Sequence, residues 1–226
     1  MLRVDSVNRE KGMGMATDDQ MRTYKRAESV VFLKVNEDFG GLSNMAAFRL
    51  KIPLQNSNTG VLVLTSEALY QACRYPHLPD LQRTIIDQQS PMAAKMKSRP
   101  HRKNDSRADW DQVRVKIMRW CLRVKLANHW TEFSRLLLAT HDKPIVEQSA
   151  KDDFWGAKVV DPGTLKGQNV LGRLLMELRE EVKEAIKQDK TDGLRRVEPL
   201  EIENFFLYGE PILAVDLRPK KIVAAA

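Results

Sequence analysis

Two carboxylates stand in company that suits acid–base chemistry. Glu67 lies in Thr65-Ser66-Glu67-Ala68-Leu69-Tyr70-Gln71, where Thr65 reads as a helix N-cap. Glu67 then falls in the first turn, and Gln71, at i+4, shares its face. An acidic residue there commonly serves the helix dipole. The capping-box position for Thr65 is Ala68, however, so Glu67 is not its reciprocal cap. Asp152 lies in Glu147-Gln148-Ser149-Ala150-Lys151-Asp152-Asp153-Phe154-Trp155-Gly156. Carboxylates beside a Trp-Gly pair put acid and base groups next to an aromatic plate that can stack on a base or a sugar face. The plainer alternative is an exposed acidic turn with Trp155 set into the core.

Two further islands offer binding groups. In Phe39-Gly40-Gly41-Leu42-Ser43-Asn44 the adjacent glycines permit tight backbone geometry and close approach to a ligand, and Ser43 and Asn44 bring hydrogen-bonding groups. In Gly167-Gln168-Asn169-Val170-Leu171-Gly172, Asn169 caps a helix whose free N–H groups would form an anion site. No Gly-Lys-Ser/Thr follows, so this is not a P-loop. A simple cap, with Gly172 allowing close helix packing, is the competing reading. His77, His101, His129 and His141 are scattered, and Cys73 and Cys121 match no metal or redox spacing. The expectation is no metal, no cofactor and two buried thiols in a reducing cytosol.

The elements that must position these residues are legible in part. Residues 1–27 show no periodicity and read as a flexible lead-in. Short strands are expected at 29–34, 48–52 and 60–64, the last two joined by a loop at 55–60. Helices are expected from Thr65 to about Tyr75, and at Pro91–Lys97 behind the Ser90 cap. A long helix should follow Asp109, with Val113, Ile117, Trp120, Cys121 and Val124 on one buried face. Another helical stretch runs to Leu138. The last helix follows Asn169, with Val170, Leu171, Leu174, Leu175, Leu178 and Val182 on one side. The predicted class is α+β: a predominantly helical single domain with a small antiparallel sheet built largely from the N-terminal half. The domain spans 28–190, and 191–226 is a C-terminal extension forming a β-hairpin that packs back on it.

Hydrophobic residues make up 42% of the 226, enough for a core. No apolar run is long enough to span a bilayer, and no secretory h-region opens the chain, so the expected location is the cytoplasm. The net charge of +7 is concentrated: residues 83–125 carry 12 Lys/Arg against 4 Asp/Glu. Such a block either attracts phosphates or is a solvated helix face.

In order and spacing the islands resemble the NADAR (YbiA-like) family pattern. Its marks are Ser43-Asn44 after a glycine turn, Ser66-Glu67 with Gln71-Ala72, Ser90-Pro91 through Arg99, Asp152 to Trp155-Gly156, and Gly167 through Arg179. The likeness runs from about Val31 to Glu181. Two departures bear on substrate choice: the family's usual His after the Ser-Glu pair is Ala68, and its short glycine-rich loop before the last helix is Val159–Leu165.

The resemblance implies a YbiA-like fold and hydrolysis of an N-glycosidic bond. The substrate would be ADP-ribose on a modified base such as guanine, or a phosphoribosylamino intermediate of riboflavin synthesis. Cleaving a ribosyl–nitrogen bond develops positive charge at the anomeric carbon, which a carboxylate can stabilise. Glu67 and Asp152 form the expected catalytic pair, with their division of labour open. Trp155 would stack on the base, Arg99 and the Asn169 helix end would hold phosphates, and Ser43, Asn44 and Gln71 would orient the ribose. Gly40, Gly156 and Gly172 complete the substrate-binding set. A nucleic acid, if it is the partner, would meet the basic 83–125 segment. A non-catalytic ADP-ribose or nucleic-acid reader is the rival class, although a phosphate pocket gains little from two carboxylates.

Overall fold

A computed structural model describes residues 20–219. It opens on strand β1 (Arg22–Lys25). The lead-in expected to reach residue 27 therefore ends sooner, because Tyr24 of β1 is buried against Val146, Ala157 and Leu165. The rest of that expected lead-in lies outside the described residues. β2 (Val30–Phe32) follows, and then a hairpin of β3 (Leu50–Leu54) and β4 (Ser57–Val63). Leu50, Ile52 and Leu54 alternate inward, as a half-buried strand requires. Pro53 has no N–H for the ladder, and the register shifts between Ile52 and Leu54. The connection is Gln55-Asn56 alone, shorter than the expected loop, because Ser57 already pairs with Leu54.

Among the described residues there are six α-helices, two of which begin at foreseen side-chain caps. They are α1 (Ser66–Ala72), α2 (Pro79–Ile86), α3 (Pro91–Ser98), α4 (Trp110–Asn128), α5 (Trp130–Leu138) and α6 (Val170–Lys187). Thr65 Oγ1 accepts from Ala68 N at 3.1 Å, and Ser90 Oγ accepts from Ala93 N at 3.1 Å, each satisfying an orphan donor. Asp109 was expected to cap α4 but makes no capping bond, because its carboxylate is taken by Arg107 Nε at 2.5 Å. The apolar face foreseen for α4 is buried throughout. Helix α2 was not foreseen; Pro79 at its first position was the readable signal.

The class is α+β and mostly helical, as expected. The strand arrangement differs from the expected antiparallel sheet: among the described residues there are five small sheets. β5 (Ile145–Glu147) pairs parallel with β2, and β6 (Lys158–Asp161) and β7 (Thr164–Gly167) form a three-stranded antiparallel sheet with β1. Strands of three or four residues are too short to show an alternation in the sequence. The last segment holds β8 (Arg196–Val197), β9 (Phe206–Leu207), β10 (Glu210–Pro211) and β11 (Val215–Asp216). β9 and β10 form a hairpin turning on Tyr208 and Gly209, both at positive φ, and β11 pairs with β8. Val197, Phe205, Leu207, Ile212 and Val215 join the main core. No helix among the described residues is long and apolar enough to cross a membrane.

Candidate active site

All seven residues of α1 are buried, including Ser66, Glu67 and Gln71. A buried carboxylate must be held by hydrogen bonds. Asn44 Nδ2 donates to Glu67 Oε2 at 2.6 Å, and Gln71 Nε2 donates to Oε1 at 2.8 Å. Gln71 Oε1 accepts from Ser98 Oγ at 2.6 Å, and Arg102 Nη2 stands 3.5 Å from it, which fixes the direction of the amide. The structure thus brings Asn44, Glu67 and Gln71 into one network and adds Ser98 and Arg102.

The loop that carries Asn44 is anchored from beneath. Lys125 is fully buried and donates through Nζ to Gly41 O at 2.6 Å and Ser43 O at 3.0 Å. Its ammonium lies 4.4 Å from the Phe48 ring and 4.2 Å from the Phe133 ring. Burial pulls its pKa down to about 7. Ser43 Oγ accepts from Met45 N at 3.1 Å, a turn-forming bond.

A second carboxylate faces Glu67 from β5. Glu147 was passed over as a site residue, although it opens the acidic island. Burial first, then Asp152 and Glu67, push its carboxyl up to about 7, and Lys95 opposes them. Its backbone is fixed by Asn169: Oδ1 accepts from Glu147 N at 3.1 Å, and Nδ2 donates to Ile145 O at 2.8 Å. Asn169 stands at φ 51° and makes no side-chain cap. The first amides of α6 are already taken, Val170 N by Phe154 O and Leu171 N by Trp155 O, both at 3.0 Å. The expected anion site at this helix end is therefore corrected: the 153–156 backbone fills it. Asp152 Oδ1 accepts from Phe154 N at 3.0 Å and Trp155 N at 2.9 Å, so one oxygen shapes this same loop.

Aromatic rings and guanidinium groups line the side of α1 that bears Tyr70. The Tyr70 ring meets Trp155 edge-on at 5.5 Å and Trp110 at 5.0 Å. Burial pushes the Tyr70 hydroxyl well up, against the pull of Arg74 and Arg114. The Arg74 guanidinium lies 4.2 Å over Trp110, and that of Arg114 lies 3.9 Å over Phe154. Arg99 is exposed on the turn after α3; the arginine that reaches Gln71 is Arg102.

The architecture places these groups around the middle of the chain, and the profile of the NADAR domain matches residues 31–183. The chain belongs to the NADAR family. It is 39% identical over 156 residues to the N-glycosidase YbiA of Escherichia coli K12, covering 67% of this chain and 86% of that protein. A riboflavin biosynthesis protein of Vibrio vulnificus is 33% identical over 157 residues, 70% of this chain but 39% of that protein. The NMR structure of E. coli YbiA matches with a TM-score of 0.57 and 31% identity, covering 74% of this chain and 94% of that one.

The departures from the NADAR pattern now have structural form. Ala68 is buried and gives only its N–H, to Thr65. The stretch 159–165 is the end of β6, a tight turn at Pro162-Gly163 and the start of β7, with Gly163 N donating to Asp161 Oδ1 at 2.9 Å and with Val159 and Val160 exposed. The glycine assignments need correction. A Cβ at Gly40 would strike Lys34 O, one at Gly156 would stand 2.5 Å from Glu147 O, and one at Gly172 would strike Ile145 O. The protein's own backbone fills the space, so packing rather than a ligand requires glycine there. Part of the basic segment is taken up within the protein. Arg119 pairs with Glu177, Arg123 with Glu181 and Arg107 with Asp109, while Lys125 is internal.

Proposed function

We propose that this protein is an N-glycoside hydrolase that cleaves a ribosyl–nitrogen bond. The observation that carries the reading is a pair of carboxyl groups in contrasting settings. Glu67 has both oxygens accepting from amides, while Glu147 is pushed up to about 7. Contrasting environments of this kind divide acid from base roles. Glu67 would stabilise the positive charge developing at the anomeric carbon, or take the proton of the attacking water. Glu147, protonated near neutrality, would give its proton to the departing nitrogen. Asp152 would set the loop and hold Glu147 in its acid form. Trp155 would shape the pocket for the leaving base. The names of the relatives, an N-glycosidase and a riboflavin biosynthesis protein, support the same chemistry.

Within that reaction the favoured substrate is a small phosphoribosylamine, because Arg107, Arg119 and Arg123 of the basic segment are paired with the protein's own carboxylates and Lys125 is buried, which leaves fewer cations for a nucleic-acid backbone. ADP-ribose attached to guanine is the second reading. Exposed Lys97, Arg99 and Lys103 near α3, beside exposed Met92 and Met96, favour it. The test is product analysis. The protein is incubated with a phosphoribosylamino-pyrimidine and, separately, with DNA bearing ADP-ribosylated guanosine, and released sugar phosphate or ADP-ribose is followed by mass spectrometry. One of the two should be cleaved, and Glu67→Gln should slow it by about 100-fold or more. Binding of either compound without release of sugar, in wild type and variant alike, would favour a non-catalytic reader.

A further inference from the structure

Four buried N–H donors on the Tyr70 side of α1 have no hydrogen-bond partner: Nε of Arg74, Arg102 and Arg114, and Nε1 of Trp110. Orphaned buried donors are rare and call for an explanation. Three belong to guanidinium groups, and all four lack any accepting character. Among the described residues, Arg74 and Arg102 enter no ion pair, and Arg114 has only the exposed Asp111 carboxylate at 3.6 Å, beyond hydrogen-bond reach. Burial draws Arg74 below the usual arginine range, and repulsion from the nearby Arg102 adds to the effect. Stacking on Trp110 and Phe154 fixes two of the guanidinium planes without neutralising them.

Gathering like charges in a half-buried wall is unfavourable unless an anion completes it. Arg102 also stands next to Gln71, whose amide holds Glu67, so this wall adjoins the carboxylate. We infer that Arg74, Arg102 and Arg114 form a phosphoryl clamp, which takes the phosphate ester or diphosphate of the substrate while its ribose reaches Glu67. The ribose part of this inference rests on the N-glycosidase reading; the anion part stands apart from it. The clamp does the work that neither Arg99 nor the α6 terminus is placed to do. Guanidinium forks suit phosphate oxygens because each presents two parallel donors.

The test separates binding from turnover. Inorganic phosphate, pyrophosphate, ribose 5-phosphate and ADP-ribose are titrated at low salt by calorimetry, with the anion-induced rise in melting temperature as a second readout. The proteins are wild type, Arg74→Gln, Arg102→Gln and Arg114→Gln, with Arg99→Gln and Lys103→Gln as surface controls. The clamp variants should bind about tenfold or more weakly and lose the thermal rise, and the controls should stay within about twofold. Relief of repulsion should leave Arg102→Gln no less stable than wild type without anion, so lost binding there cannot be blamed on unfolding. Tighter pyrophosphate than phosphate would mark a diphosphate substrate, and equal affinity a monoester. Wild-type affinity in all three clamp variants, or an equal loss in the surface controls, would overturn the clamp. Lost anion binding in an enzyme that cleaves no N-glycoside would keep the clamp and reject the hydrolase reading.

Discussion

At the residue scale, Glu147 gives the sharpest pH behaviour. Its ordinary value of 4.5 is raised to about 7 in the fold. Serving as an acid, it must be protonated, so kcat/KM should fall as pH rises through about 7, and Glu147→Gln should lower the rate and flatten that limb. The same shift acts on stability. Between about 4.5 and 7 the unfolded chain gives up a proton that the native chain keeps, so stability declines across that window and is level above it. Glu147→Gln should therefore melt higher than wild type at pH 8 and equally at pH 4. Equal melting at both values would show that Glu147 feels no such burial. Of the residues that the candidate site brings together, Glu67, Asn44 and Gln71 were legible because each sits in a short polar island. Glu147 was not, because its character comes first from a burial that the polar island around it does not reveal, and only then from Asp152 and Glu67. Arg74, Arg102 and Arg114 were hidden in the same way, since a charge count cannot tell an orphaned guanidinium from a paired one.

At the element scale, the candidate site is a meeting of α1 with two segments, 40–44 and 145–156, and each is fastened by a residue from elsewhere in the chain. Lys125 of α4 fastens the 40–44 loop, and Asn169 fastens β5 and, through it, Glu147. Removing the lysine leaves two carbonyls without their donor, a loss of about 1–3 kcal/mol at the loop. Lys125→Met should therefore lower kcat by about tenfold or more, with little change in KM, because no substrate contact is removed. Steady-state kinetics beside circular dichroism decides this, and an unaltered kcat would mean the loop holds its shape without the ammonium. The sequence located both loops through their glycines and Ser-Asn or Trp-Gly pairs. What it could not supply was the partner: the spacing from Gly41 to Lys125, or from Ile145 to Asn169, carries no local signal. The α6 terminus shows the cost of reading an element alone. Its cap residue was identified, but the 153–156 carbonyls that occupy its amides come from another segment.

At the scale of the whole molecule, the NADAR profile ends at residue 183, yet the fold does not. Five apolar side chains of the last segment are at least 90% buried: Val197, Phe205, Leu207, Ile212 and Val215. At about 1.5–3 kcal/mol each, they contribute a gross burial of the same order as the net stability of a typical domain. A chain cut after Lys190 should fail to give a cooperative thermal transition; a transition of wild-type midpoint would show the extension to be an accessory. The helical class was legible because long helices repeat a buried face several times. The sheets were not, because two- to four-residue strands gain their pairing from distant segments. Their attachment also sets a timetable. Gln82 donates to Phe206 O and accepts from Tyr208 N, and Asn56 N donates to Glu210 across 154 residues. At roughly 5–20 residues per second of synthesis, about 8 to 30 s pass between the making of Asn56 and of its partner. Through that interval the end of β3 at Pro53, Leu54 and Gln55 lacks the strand that later pairs with it, so the growing chain carries an open sheet edge until residues 211–213 have been made.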